Sequence, residues 1–137
     1  MKLLMFHVRE FWFRSHERNL ETEVEREEEG GMPAGGILAW VHAEPHDTED
    51  RTRTIRKAVK NLKWLARKVD VERVTLHSFA HLAKESAEPE VAQELLREIG
   101  DRLRSVDFEV HETPWGYFNE FKMHVEGPSL AKVWIEF

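Results

Sequence analysis

Apolar positions along the chain change their period several times, and each change marks an element. Residues 3–7 read as a first strand, and Phe11-Trp12-Phe13, after a short turn, as a second. Residues 21–29 are an acidic run closing on Gly30-Gly31 and Pro33, the composition of a solvated surface loop. Gly35-Gly36 then opens the unbroken apolar run of residues 37–41, which fits a central, buried strand. From residue 52 to 68 the period becomes helical. Ile55, Val59, Leu62, Ala66 and Val69 form one stripe, and Lys and Arg fill the opposite face.

Residues 74–77 return to strand character. A second helix begins at Pro89, a favourable first-turn residue. Its stripe is Val91, Leu95, Ile99 and Leu103, with Val106 as a late extension and Gly100 as a slight weakness. Strands at 108–111, 118–125 and 130–137 complete the chain, the last two joined by a turn at Gly127-Pro128. The order β-β-β-α-β-α-β-β-β predicts an α/β fold with a mixed or largely antiparallel sheet and both helices on one side. There is no internal repeat and no linker-like stretch, so residues 1–137 read as a single domain, long enough to enclose a core.

Composition narrows the chemistry. The absence of cysteine removes disulfides, thiolate catalysis and Cys-based zinc sites, and makes a cytoplasmic location the default. The apolar run near the N-terminus is too short for a signal segment or a membrane span. A net charge of −6 argues against a domain that grips nucleic acid by electrostatics alone. It leaves room for one that handles only the tip of an RNA delivered by another domain. No glycine-rich phosphate loop and no nucleophile elbow occur.

Two segments at strand ends stand out, Ser78-Phe79-Ala80-His81-Leu82 and Pro114-Trp115-Gly116-Tyr117-Phe118-Asn119. Converging strand ends commonly form a ligand crevice in α/β proteins. Strand alternation puts Asn119 on one face with Phe121, Met123 and Val125, pointing inward at the mouth of its strand. A polar group there needs a partner or a ligand; a turn-proximal Asn satisfying backbone groups is the plainer alternative. His81 is either a hydrogen-bonded loop histidine or a site residue. His77 and His81 are four apart, but His77 falls in a strand and no third ligand is evident, so no metal is expected. His7, at the end of the first strand, is the remaining histidine placed near the crevice. Lys132, between apolar neighbours, is either partly desolvated or a snorkelling surface lysine.

The segments VTLHSFAHLAKESAEPEVAQELL and ETPWGYFNEFKMHVEGPSLAK resemble the archaeal threonyl-tRNA synthetase N-terminal editing domain, and the likeness extends more weakly to MKLLMFH and GGILAWVHAE. The resemblance implies a D-aminoacyl-tRNA deacylase-like fold and a homodimer. It also implies proofreading hydrolysis of L-serine mischarged on threonine tRNA, because a site built for Thr cannot strongly exclude the smaller Ser by binding alone. It implies that Ala80, with Ser78 and Phe79, walls the pocket, that His81 contacts the substrate or orients a group near the ester, that Trp115, Tyr117 and Phe118 pack around the terminal adenosine and the seryl group, and that Ala43 lines the adenine pocket. No metal or organic cofactor is implied.

The chain also departs from the family. Euryarchaeal members carry Lys at the position of Asn119, Glu at that of Lys132 and Tyr at that of Phe118. Two routes to activity stay open. Either Lys132 supplies the missing cation, giving His81, Asn119 and Lys132 as the catalytic set, or the terminal ribose 2′-hydroxyl activates water while backbone N–H groups hold the oxyanion. The alternatives are a D-aminoacyl-tRNA deacylase and an inactive module that binds the tRNA 3′ end. The expected partners are threonine tRNA and the rest of a synthetase chain, whose anticodon-binding domain would supply most of the tRNA affinity.

Overall fold

The structure, a computed structural model, describes residues 1–137. Its elements are β1 (Lys2–Arg18), β2 (Glu29–Met32), β3 (Gly36–His42), α1 (Arg51–Lys68), β4 (Arg73–Ser78), α2 (Pro89–Arg104), β5 (Glu109–Glu112), β6 (Tyr117–Val125) and β7 (Lys132–Glu136). The order of strands and helices is the expected one, but two early strands are not those the pattern suggested. The segments 3–7 and 11–13 form one long strand, β1, and the second strand is the Glu-Gly-Gly-Met segment at the end of the acidic run.

A bulge explains how β1 stays continuous while its pattern breaks. Val8 pairs with Val125 and Glu10 with His124, so Arg9 is an extra residue. Before it, Met1, Leu3 and Met5 face the helices. One inserted residue shifts the parity of everything after it. Phe6, Val8, Phe11 and Phe13 therefore share the other face, where they pack with Leu38, Met32 and Phe121 in a second, smaller core. β2 runs antiparallel to β1, with Gly31 opposite Trp12. Gly31 has φ +149°, and a Cβ there would lie 2.1 Å from the Phe11 carbonyl oxygen, so only glycine lets the strands approach.

The sheet has seven strands and is mixed. β1 pairs antiparallel with β2 and β3 on one edge and with β6 and β7 on the other. β3, β4 and β5 are parallel neighbours. Such pairs need a crossover connection, and α1 and α2 supply the two. Both helices cover the same face. Ile55, Ala58, Leu62 and Leu65 of α1 and Leu95, Ile99 and Leu103 of α2 are buried against Ile37, Ala39, Val74 and Leu76. Asp50 caps α1 by accepting from the Arg53 N–H, and Arg67 and Lys68 lie in its last turn, where the helix dipole favours cations. No helix is long and apolar enough to cross a membrane.

Candidate active site

The parallel strands β3, β4 and β5 end side by side at His42, Ser78 and Glu112. Beyond them the chain leaves the sheet in loops, and a cleft of about 820 Å³ opens there. α2 forms one wall, through Ala92 and Leu96. The start of β6 forms another, and the segment from Asn19 to Glu28 closes a third side. This is the crevice outside the carboxyl ends of the strands, where open α/β sheets bind ligands.

The floor is aromatic with two polar intrusions. β4 alternates, so Val74 and Leu76 enter the helix-side core while Thr75 and His77 face the other way. The His77 ring is 8% exposed and packs edge-on against Phe121, 4.9 Å between centroids, with Phe79 and Trp40 also beside it. Its Nδ1 is 2.8 Å from the Thr113 hydroxyl, and its Nε2 makes no hydrogen bond within the chain. Burial pushes its pKa down to about 4, so the ring is neutral near pH 7. Asn119 is the second intrusion. Its Nδ2 makes only a long 3.4 Å contact to the Tyr117 carbonyl, and its Oδ1 is buried with no partner. A buried acceptor without a donor costs about 1–3 kcal/mol, which makes it the unsatisfied group in the cleft that most needs a ligand.

The rim is the loop after β4. The Phe79 amide still donates to the Val41 carbonyl of β3, and the Ala87 amide to that of Ala43 just after β3, which ties down both ends of the loop. His42, fully buried, holds the middle. Its Nδ1 accepts from the Leu82 N–H at 3.0 Å, so Nε2 carries the proton and donates to the Glu85 carbonyl at 2.7 Å. Between these anchors the amides of Ala80 and His81 donate to nothing in the chain, while both residues line the cleft. His81 is exposed, its ring 5.3 Å from that of Phe79.

The Pro-Trp-Gly-Tyr segment forms the opposite rim. Gly116 has φ +77°, and its carbonyl accepts from the amides of Asn19 and Leu20. The Tyr117 hydroxyl donates to the Val24 carbonyl and accepts from the Arg26 amide at 2.8 Å, and the Arg26 guanidinium sits over its ring. Segment 19–28 is thus held over the cleft by this segment. Trp115 packs against the main core and presents an apolar surface to the cleft. Arg97 of α2 lines the same cleft as an exposed cation outside any ion pair.

The structure brings together Ala43, Ser78, Phe79, Ala80, His81, Trp115, Tyr117, Phe118 and Asn119. Phe118 belongs to the outward face of β6 and is 52% exposed, at the rim. Lys132 is not brought in. It pairs with Phe6 of β1, whereas Asn119 pairs with Ser15, nine positions further along that strand. At roughly 3.3 Å per residue this is on the order of 30 Å of strand. Its ammonium donates instead to the carbonyls of Glu126, Gly127 and Pro128. His7 lies mid-strand opposite Ile37, outside the cleft. His77, which its spacing from His81 offers only as a metal ligand, lines the cleft as a further polar group. The period-two pattern of Val74-Thr75-Leu76-His77 held the signal, since it sends His77 to the face opposite the aliphatic pair.

A family model described as the archaea-specific editing domain of threonyl-tRNA synthetase matches residues 1–137. The chain belongs to that family. It is 30% identical over 135 residues to a threonine–tRNA ligase of Thermococcus kodakarensis, 28% over 134 residues to that of Methanothrix thermoacetophila, and 26% over 141 residues to that of Hyperthermus butylicus. Each match covers 97% of this chain and 22% of the relative, so the chain spans about a fifth of the ligases it matches. Among solved structures, a c-Myc DNA unwinding element binding protein superposes with a TM-score of 0.65 at 12% identity, covering 100% of this chain and 99% of its own. That likeness concerns the fold alone. The fold is the expected D-aminoacyl-tRNA deacylase-like one, with a curled mixed sheet and two helices on one face.

Proposed function

We propose that this chain hydrolyses the ester joining L-serine to the 3′ end of threonine tRNA, with residues 1–137 acting as one editing domain of a threonyl-tRNA synthetase. The observation that carries the reading is the buried, unpartnered Asn119 Oδ1 on the floor of a cleft whose rim offers the unengaged amides of Ala80 and His81. An acceptor below and two donors above suit an aminoacyl ester, which has N–H and O–H groups at its amino-acid end and a carbonyl at the scissile bond.

The ester carbonyl oxygen sits on the Ala80 and His81 amides, which stabilise it further as it becomes an oxyanion. Asn119 Oδ1 accepts from the seryl group. The adenosine lies against Trp115 and the small side chain of Ala43, where flat apolar surface suits an unpaired base. Arg97 meets the phosphate behind it. Water adds to the carbonyl carbon, and its proton passes through the ribose 2′-hydroxyl to the departing 3′ oxygen. The C–O bond breaks, releasing serine and a tRNA with a free 3′ end. The His81 side chain, exposed at the rim, orients the ribose. His77, neutral, offers Nε2 to the seryl hydroxyl. The step requires no metal or organic cofactor.

The active species is a homodimer in the cytoplasm, and the remaining synthetase delivers the tRNA. The test is release of serine from Ser-tRNA(Thr) by residues 1–137, with D-tyrosyl and D-aspartyl esters in parallel. Serine release with the D-esters left intact supports the reading. Release of the D-amino acids alone reassigns the chain to D-aminoacyl-tRNA deacylation. Binding of a non-hydrolysable seryl-adenosine without turnover of any ester reassigns it to an inactive 3′-end module.

A further inference from the structure

Helix α1 carries a surface that the cleft does not use. It contains eight of the chain's 20 Lys and Arg residues and none of its 26 Asp and Glu. Arg51 pairs with Glu94 and Glu98 of α2, and the Lys57 ammonium lies over the Phe137 ring. The other six, Arg53, Arg56, Lys60, Lys63, Arg67 and Lys68, make no ion pair. At 3.6 residues per turn they fall within one arc of roughly 140°, opposite the buried stripe, over a length of about 22 Å. Trp64 lies in the same arc and is 44% exposed. Lys60, Lys63, Trp64, Arg67 and Lys68 border a shallow depression of about 440 Å³.

Several cations elsewhere on the surface are matched, as in Arg9 with Glu126, Arg14 with Glu120 and Arg73 with Glu109. Like charges three and four apart on a helix repel by a few tenths of a kcal/mol per pair. A chain rich in carboxylates nevertheless keeps this face clear of them. The net charge of −6 hides it.

We propose that the outer face of α1 docks the phosphate backbone of double-helical RNA whose 3′ end enters the cleft. The inference rests on the proposed function for its direction and on the face itself for its chemistry. α1 begins beyond the carboxyl end of β3, where the cleft opens, and runs back to the start of β4. An RNA helix laid along it has one end at the cleft. A row of unpaired cations 22 Å or so long matches a phosphate backbone, and the exposed indole N–H can donate to a ribose or phosphate oxygen.

The experiment measures binding of residues 1–137 to an unacylated RNA hairpin with a single-stranded 3′ end, across a KCl series. Wild type is compared with the triple variant Lys60→Gln, Lys63→Gln, Arg67→Gln. The variant is expected to lose about two from the slope of log K against log salt, and roughly a hundredfold in affinity at about 0.1 M salt. It should hydrolyse a small seryl-adenosine ester at the wild-type rate, because that substrate has no duplex. Equal affinity and slope for variant and wild type would overturn the proposal. So would tighter wild-type binding to poly-glutamate than to the hairpin, lost in the same variant, which would assign the face to an acidic protein segment. If wild type hydrolyses neither that ester nor Ser-tRNA(Thr) while its hairpin binding still depends on these side chains, the proposed reaction fails and the docking surface stands.

Discussion

The Nδ1 of His77 and the hydroxyl of Thr113 lie 2.8 Å apart, bridging the ends of two parallel strands, β4 and β5, beneath the cleft. Both groups are buried, at 8% and 7% exposure, so the bond is shielded from water. It turns one ring nitrogen toward protein and leaves the other for a ligand.

This placement makes stability depend on pH. Above pH 6.5 neither the folded nor the unfolded chain holds a proton on this ring, and it has no effect. Between pH 6.5 and about 4 the unfolded chain binds the proton and the folded chain does not, so stability falls as pH falls. By pH 4 the loss should reach about 3 kcal/mol. His77→Gln keeps a hydrogen-bonding group near Thr113 but does not titrate. Urea unfolding at a series of pH values should show a shallower acid loss for the variant, and parallel curves would refute the assignment.

Asn119→Leu should separate function from stability. It removes an unsatisfied buried acceptor and adds apolar volume beside Phe121. The variant should unfold at the same or a higher urea concentration, by about 1 kcal/mol. Serine release should fall at least about tenfold, the effect of one hydrogen bond of roughly 1.4 kcal/mol. A loss of stability with activity intact would make Asn119 a scaffold residue.

His42→Leu should act through the rim. It strips the Leu82 amide and the Glu85 carbonyl of their partner, at a cost of about 2–3 kcal/mol. Amide exchange at Leu82 should accelerate, and serine release should slow, since the loop that presents the Ala80 and His81 amides loosens. Unchanged protection at Leu82 would exclude this role.

Gly116→Ala puts a Cβ 2.6 Å from Glu23 Cγ at φ +77°. The strain should cost about 1–2 kcal/mol and free segment 19–28. Faster exchange at Asn19 and Leu20, which donate to the Gly116 carbonyl, is the direct readout.

The helices were legible because their stripes are long and strictly periodic: Ile55, Val59 and Leu62 in α1, Leu95, Ile99 and Leu103 in α2, are all buried. β1 was not legible as one strand. Its bulge at Arg9 resets the alternation, and a period-two reading takes such a reset for a turn. β2 was hidden for a different reason. Gly30 and Gly31 have no strand propensity of their own, and at Gly31 the absence of a side chain is what lets the backbone lie this close to the Phe11 carbonyl. Within the site, alternation placed Asn119 correctly from sequence. Lys132 lies far from Asn119 because β6 and β7, although consecutive in the chain, pair with β1 end to end rather than with each other. The family resemblance supplied the rim residues, and it left His77 unassigned.

The most direct test of the account is the rate of deacylation of L-Ser-tRNA(Thr) against L-Thr-tRNA(Thr) by residues 1–137, under single-turnover conditions with enzyme in excess. The account predicts rapid loss of serine and a Thr ester that persists near its spontaneous rate. Equal hydrolysis of both esters, or of neither, would contradict it.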